Sequence, residues 1–141
     1  MSDVYRVETS TLDGGPTALG WAGTSTVVID RLPSGGGKGL GFNGGQLLNL
    51  AVAACISNDL YREAAGRGIA LSSVRVTVDA NYVGDPAVSM PIEYDLDVEG
   101  DASPEDLADL VSHVDAIAEI PNSLRASTDV RLREQRVATT P

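Results

Sequence analysis

Apolar and polar positions change period several times along the chain. Tyr5 and Val7 begin a short alternation, and Thr17 to Ile29 places Leu19, Trp21, Val27, Val28 and Ile29 among small polar residues. The turn signal Asp13-Gly14-Gly15 separates the two runs, which predicts a small antiparallel meander. Next comes LPSGGGKGLGFNGG, a glycine-rich stretch that reads as a linker. A helix is predicted from Asn43. Asn is a favoured N-cap, and Gln46 three residues on makes a capping box. The helix should reach about Ala65, with Gly66 or Gly68 ending it. Its first four turns are apolar nearly all round. Such a helix requires cover on every side, and a second subunit is the simplest source of that cover.

Two period-2 segments follow. Val74, Val76, Val78, Ala80 and Tyr82 alternate with Arg75, Thr77, Asp79 and Asn81, and Ile92, Tyr94, Leu96 and Val98 alternate with acids. Both predict strands with one dry and one wet face, joined by a turn at Gly84, Asp85 and Pro86. Ser103-Pro104-Glu105-Asp106 then opens a second helix, with a good N-cap, proline in the first turn and acids at the positive helix end. Leu107, Leu110, Val111, Val114 and Ile117 form its apolar stripe, and Pro121 breaks it. A last strand is predicted over Thr128 to Val137. The fold class is α+β in one domain, 1–141. Residues 1–43 supply the meander and glycine-rich loop, and 44–141 the helix-strand-strand-helix-strand part.

Composition narrows the function classes. The 141 residues are 43% hydrophobic and 21% charged, a globular balance. Aromatics are only 4%, so Val, Leu, Ile and Ala must build the core. The net charge of -10 opposes binding to nucleic acid or anionic membrane, both of which need a basic footprint. No apolar run is long enough to span a bilayer. The opening MSDVYRVETS lacks a signal pattern, so a cytoplasmic location is expected. One cysteine excludes an internal disulfide, and one histidine with one cysteine offers no metal-ligand spacing. The glycine-rich stretch is no phosphate loop, because Lys38 is followed by Gly39 rather than Ser or Thr.

The remaining chemistry centres on Cys55. On a helix it shares a face with Ala51, Val52, Asn58, Asp59 and, two turns on, Arg62. Two readings stand: a reactive thiol, or a small hydrophobe in an Ala-rich helix. A reactive thiol needs a cation nearby. Arg62 is a candidate, since long helical side chains lean toward the N-terminus. Asp59 and Arg62 also have the i, i+3 spacing of a simple ion pair. Arg6 and Arg31 are further candidate cations. His113 falls between the stripe residues of the second helix and reads as a rim residue. Trp21 and Tyr61 read as packing residues.

Two stretches carry a family resemblance: PSGGGKGLGFNGGQLLNLAVAAC and RGIALSSVRVTVDANY. They resemble the glycine-rich loop, central cysteine helix, RGI helix end and alternating valines of the OsmC/Ohr family of thiol-dependent hydroperoxide reductases. The resemblance implies an OsmC-like fold, an antiparallel sheet packed on a central buried helix plus a second helix, in an intertwined homodimer. It also implies thiol-based reduction of organic hydroperoxides in oxidative stress defence, without a cofactor. Cys55 matches the family's attacking cysteine. The family's other three parts are unmatched. Gly44-Gly45 stands where a Glu is expected, Pro16 follows the Gly-Gly that precedes an Arg in some branches, and Ile120 precedes Pro121 where the resolving Cys belongs. An external thiol would then have to resolve the sulfenic acid. The alternative is a non-catalytic dimer whose interface pocket, lined by Leu47, Leu48, Ala51 and Val52 with Asn58 and Asp59 nearby, binds a small apolar ligand. A third reading is an inert assembly domain.

Overall fold

The computed structural model describes residues 3–128 and 130–136. In chain order the elements are β1 (Glu8–Thr11), β2 (Ala18–Ala22), β3 (Ser25–Ile29), α1 (Gly44–Gly66), β4 (Leu71–Asp79), β5 (Tyr82–Gly84), β6 (Ala87–Ser89), β7 (Glu93–Gly100), α2 (Pro104–Ile117) and α3 (Glu119–Arg125). The chain forms two compact units. One holds residues up to Ala53 with Thr77–Asp95, and the other holds Ala54–Val76 with the residues from Leu96 onward. α1, β4 and β7 each run from one unit into the other.

The predicted meander forms in the first unit. β2 pairs antiparallel with β1, Glu8 opposite Trp21, and with β3, Ala18 opposite Ile29. Tyr5 and Val7 precede β1 and are exposed. The glycine-rich stretch is not a loose linker. Phe42 N–H donates to the Val28 carbonyl at 3.0 Å, and Asp30 N–H donates to the Phe42 carbonyl at 3.0 Å, closing the neck of a loop. Inside it sits Asp30, 2% exposed. Its carboxylate accepts the backbone N–H groups of Arg31 (2.8 Å), Lys38 (3.1 Å) and Leu40 (3.1 Å). Two glycines permit this closure. A Cβ on Gly37 would stand 2.0 Å from the Arg31 carbonyl oxygen, and one on Gly41 would stand 2.1 Å from that of Val28. Glycine here serves close backbone approach.

α1 begins as its capping box dictates. Gln46 N–H donates to Asn43 Oδ1, and Asn43 N–H donates to Gln46 Oε1, both at 2.9 Å. It ends past Gly66, where Gly68 takes φ 68° and Ile69 N–H reaches back to the Ala64 carbonyl at 2.9 Å. The alternating segment after it is interrupted. β4 ends at Asp79, and Tyr82–Ser89 folds into a small antiparallel hairpin, β5–β6, whose tip carries the predicted Gly84-Asp85-Pro86 turn. β7 then pairs with β4 in a two-stranded sheet.

The second unit has the better-formed core. Ile56 and Leu60 of α1, Leu110 and Val114 of α2, and Ala118 are each 0% exposed, with Ala64 at 1%. Ser103 caps α2, its Oγ accepting the Asp106 N–H at 3.1 Å. Arg67, the residue just past the end of α1, is tied to Asp109 of α2 by an ion pair at 2.8 Å. α2 stops at Ile117, before Pro121, but the chain resumes as α3. Pro121 falls in the first turn of α3, where its missing N–H costs nothing. The strand predicted over Thr128–Val137 does not form. Residues 128 and 130–136 carry no strand, and 129 and 137 lie outside the described residues. An alternating sequence becomes a strand only against a partner edge.

α1 itself buries one face only. Val52, Ile56, Asp59, Leu60 and Ala64 are buried, whereas Ala51, Ala54 and Asn58 are exposed and Leu50 and Tyr61 are each 47% exposed.

Two measurements test this frame. The Leu40 hydrogen bond first, then those from Arg31 and Lys38, holds the Asp30 carboxyl below its ordinary value, against the opposing effect of burial. A depressed folded-state pKa stabilises the fold above the unfolded-state value, and this is lost as pH falls through the folded-state value. Asp30→Ala is therefore expected to lower Tm at pH 7, with the gap to wild type closing below about pH 4; thermal melts across pH read this directly. In the core, Ile56→Ala should cost about 2–5 kcal/mol in urea unfolding.

Candidate functional site

Cys55 lies mid-way along α1, half-buried. Helical spacing brings Asp59 one turn on, and the thiol donates to Asp59 Oδ2 over 3.9 Å, a weak hydrogen bond. Asp59 is 7% exposed. A buried carboxylate requires a compensating charge, and Arg62 supplies it: Nη1 meets Asp59 Oδ1 at 2.7 Å. The Arg62 side chain as a whole is 61% exposed. Its Nε–H donates to Glu63 Oε1 at 2.9 Å, and Glu63 Oε2 meets His113 Nε2 from α2 at 3.0 Å. A continuous polar chain thus runs from the thiol through Asp59, Arg62 and Glu63 to His113, within the second unit.

The charges in this chain reinforce each other. The Arg62 pKa is pushed up, first by its hydrogen bond to Glu63 and then by the Asp59 charge. The Glu63 carboxyl is held below its ordinary value by the Arg62 hydrogen bond and then by that to His113. Arg62 is therefore committed to two carboxylates rather than standing as a lone cation beside the sulfur. His113 is more than a rim residue, since it ties α2 to the helix that carries the cysteine. The sequence signal for this was weak, because Glu63 and His113 are fifty positions apart.

The other candidate residues divide between helix faces. Val52 is buried with Asp59, Leu47 and Leu48 are half-buried, and Ala51 and Asn58 are exposed. A cavity of about 450 Å³ lies elsewhere, in the first unit at the head of α1. Arg31, Ser34 and Gly35 of the closed loop and Asn43, Gly44 and Gly45 of the helix start line it. Gly45 is covered by Tyr82, which sequence reasoning did not single out. A Cβ on Gly45 would stand 3.0 Å from the ring's Cε2. A larger side chain at this position would have to displace the ring. Among the described residues, no group of three His, Cys, Asp or Glu side chains is placed to hold a metal ion, and no helix is long and apolar enough to cross a membrane.

The fold recurs in solved structures. An OsmC-like protein from Mycoplasma pneumoniae superposes with a TM-score of 0.76 at 16% identity, over 89% of both chains. An OsmC-like protein of unknown function from Vibrio cholerae gives 0.69 at 11%, over 87% of this chain and 94% of that one. The organic hydroperoxide resistance protein OsmC from Legionella pneumophila gives 0.60 at 17%, over 87% and 90%. At these identities the likeness shows the fold. No curated protein matches the sequence. The family model described as OsmC-like protein matches residues 35–133, which begin within the closed loop and take in α1 with Cys55, both long strands and both later helices. With that match over most of its length, the chain belongs to the OsmC-like protein family.

Proposed function

We propose that this chain is a homodimeric thiol protein that reduces organic hydroperoxides in the cytoplasm, with Cys55 as the reacting group and an external thiol as reductant. The observation that carries this is the position of Cys55. It is half-accessible on α1, inside the matched family region, and linked through Asp59 and Arg62 to a network of ion pairs. Structural neighbours bearing the name organic hydroperoxide resistance protein support the same general redox and stress-defence reading.

The chemistry follows from the thiol. The Cys55 sulfur, as thiolate, attacks the distal peroxide oxygen. The S–O bond forms as the O–O bond breaks, and the leaving alkoxide takes a proton to become an alcohol. The sulfur is oxidised to a sulfenic acid and the peroxide is reduced. With no second cysteine in the chain, an external thiol condenses with the sulfenic acid and releases water. A second external thiol then frees Cys55 from the mixed disulfide. In this scheme Arg62 acts mainly by offsetting the Asp59 charge that faces the sulfur. The open face of α1 supports a dimer, because Leu50, Ala51, Ala54 and Tyr61 leave an apolar stripe in water. The same stripe favours the second reading, a non-catalytic dimer that holds a small apolar ligand beside Leu47, Leu48 and Ala51, with Val52 turned to the covered face of the helix.

Peroxide loss in the presence of an organic hydroperoxide and a dithiol tests the enzymatic reading. Wild type should turn over and Cys55→Ser should not; equal rates in the two would remove Cys55 from the mechanism. Arg62→Ala, which leaves the Asp59 charge unbalanced near the sulfur, should slow the reaction by about tenfold, or 1.4 kcal/mol. Native mass spectrometry of freshly purified protein separates the readings. A retained apolar molecule with no peroxide turnover would favour the binding protein.

A further inference from the structure

The polar chain that starts at Cys55 ends on a different helix. Cys55, Asp59, Arg62 and Glu63 all belong to α1, and His113 belongs to α2. The weak link is Arg62. An exposed arginine gives up rotamer freedom to hold one geometry, and this one must hold it to offset the buried Asp59. Two contacts fix it. Nη1 meets Asp59 Oδ1 at 2.7 Å, and Nε–H donates to Glu63 Oε1 at 2.9 Å. Because the guanidinium is a rigid plane, holding Nε also aims Nη1.

Glu63 is in turn held from behind. Its other oxygen, Oε2, meets His113 Nε2 at 3.0 Å. Hydrogen bonds from Arg62 first and then from His113 keep the Glu63 carboxyl below its ordinary value, so it is ionised and can only accept. The proton in this contact therefore sits on His113 Nε2. His113 is a firm anchor. Leu110 and Val114, which flank it on α2, are 0% exposed, as are Ile56 and Leu60 of α1. Asp109, one turn earlier on α2, is paired with Arg67 and leaves His113 to Glu63.

We propose that His113 is a positioning residue for the chemistry of Cys55. By donating Nε2–H to Glu63, it holds the carboxylate that aims Arg62 at Asp59. The need arises when the sulfur loses its proton. Asp59 Oδ2 lies 3.9 Å from the sulfur. The thiol can donate to that oxygen, but a thiolate faces it as a like charge, which disfavours the reactive form. Arg62 offsets the Asp59 charge only while its own geometry is kept, and His113 keeps it from the far end of the chain. The inference rests on the reading of Cys55 as the reacting group and adds a residue from α2 that no spacing on α1 indicates.

Alkylation of Cys55 by iodoacetamide, a neutral reagent, reads thiolate reactivity without any peroxide. In the full-length protein at fixed pH, His113→Ala should slow alkylation by about threefold, a part of the effect of losing Arg62. Glu63→Ala, which cuts the link one step nearer the sulfur, should slow it at least as much. His113→Gln keeps an N–H donor and should restore most of the rate. The thiolate fraction, read from its ultraviolet absorbance at the same pH, should fall in step with the rate. In an Arg62→Ala background, His113→Ala should change nothing further, because the path to the sulfur is already cut. Equal slowing by His113→Ala with and without Arg62 overturns the inference, by showing that His113 acts through the packing of α2. So does a wild-type rate in Glu63→Ala, a Tm loss in His113→Ala with alkylation unchanged, or a His113→Gln variant as slow as His113→Ala. A protein that follows the expected pattern yet reduces no hydroperoxide removes the enzymatic reading and leaves this inference standing. A wild-type Cys55 that the reagent fails to modify overturns both.

Discussion

The burial of α1 is the constraint on which the rest of this molecule depends. Twenty-three residues with so few charges cannot be left in water, yet the single chain covers only the face bearing Val52, Ile56, Leu60 and Ala64. That covered face anchors the second unit, because Ile56 and Leu60 are as deeply buried as Leu110 and Val114 of α2. Cys55 sits between the covered and uncovered faces. It is protected enough to have a defined neighbour and open enough to be reached.

Two buried carboxylates show how this small fold handles charge. Asp30 is answered by three backbone N–H groups, and among the described residues by no cation, which is possible because glycines let the loop wrap tightly around it. Asp59 lies on a helix whose own N–H groups are already used, so a side chain must answer its charge, and Arg62 does so from the solvent edge. The first arrangement shapes the loop that leads into α1. The second sets the electrostatics around the cysteine. Neither reproduces the Glu expected at the start of the central helix. At that position Gly45 lies under the ring of Tyr82.

Much of the local structure was legible in the sequence. The Asn43–Gln46 box, the Ser103 cap, the end of α1 near Gly68 and the meander all follow from neighbouring residues, and they form as expected. The reading of Leu32–Gly45 as a linker failed because glycine composition does not distinguish flexibility from close packing. What distinguishes them is Asp30, whose hydrogen-bond partners lie up to ten positions away. The predicted last strand failed for a related reason. Alternation describes a strand's two faces but not the edge it needs.

The sequence by itself determined the order of elements, the lone cysteine on an apolar helix, the acidic balance and the family resemblance. These depend on composition and short-range spacing, which survive without coordinates. Only the tertiary structure decided which side of α1 is covered, that Glu63 and His113 extend the Asp59–Arg62 pair to α2, and that Tyr82 lies over Gly45. Those contacts join residues tens of positions apart in the chain. Packing of the elements against one another creates them, and local periodicity carries no record of it.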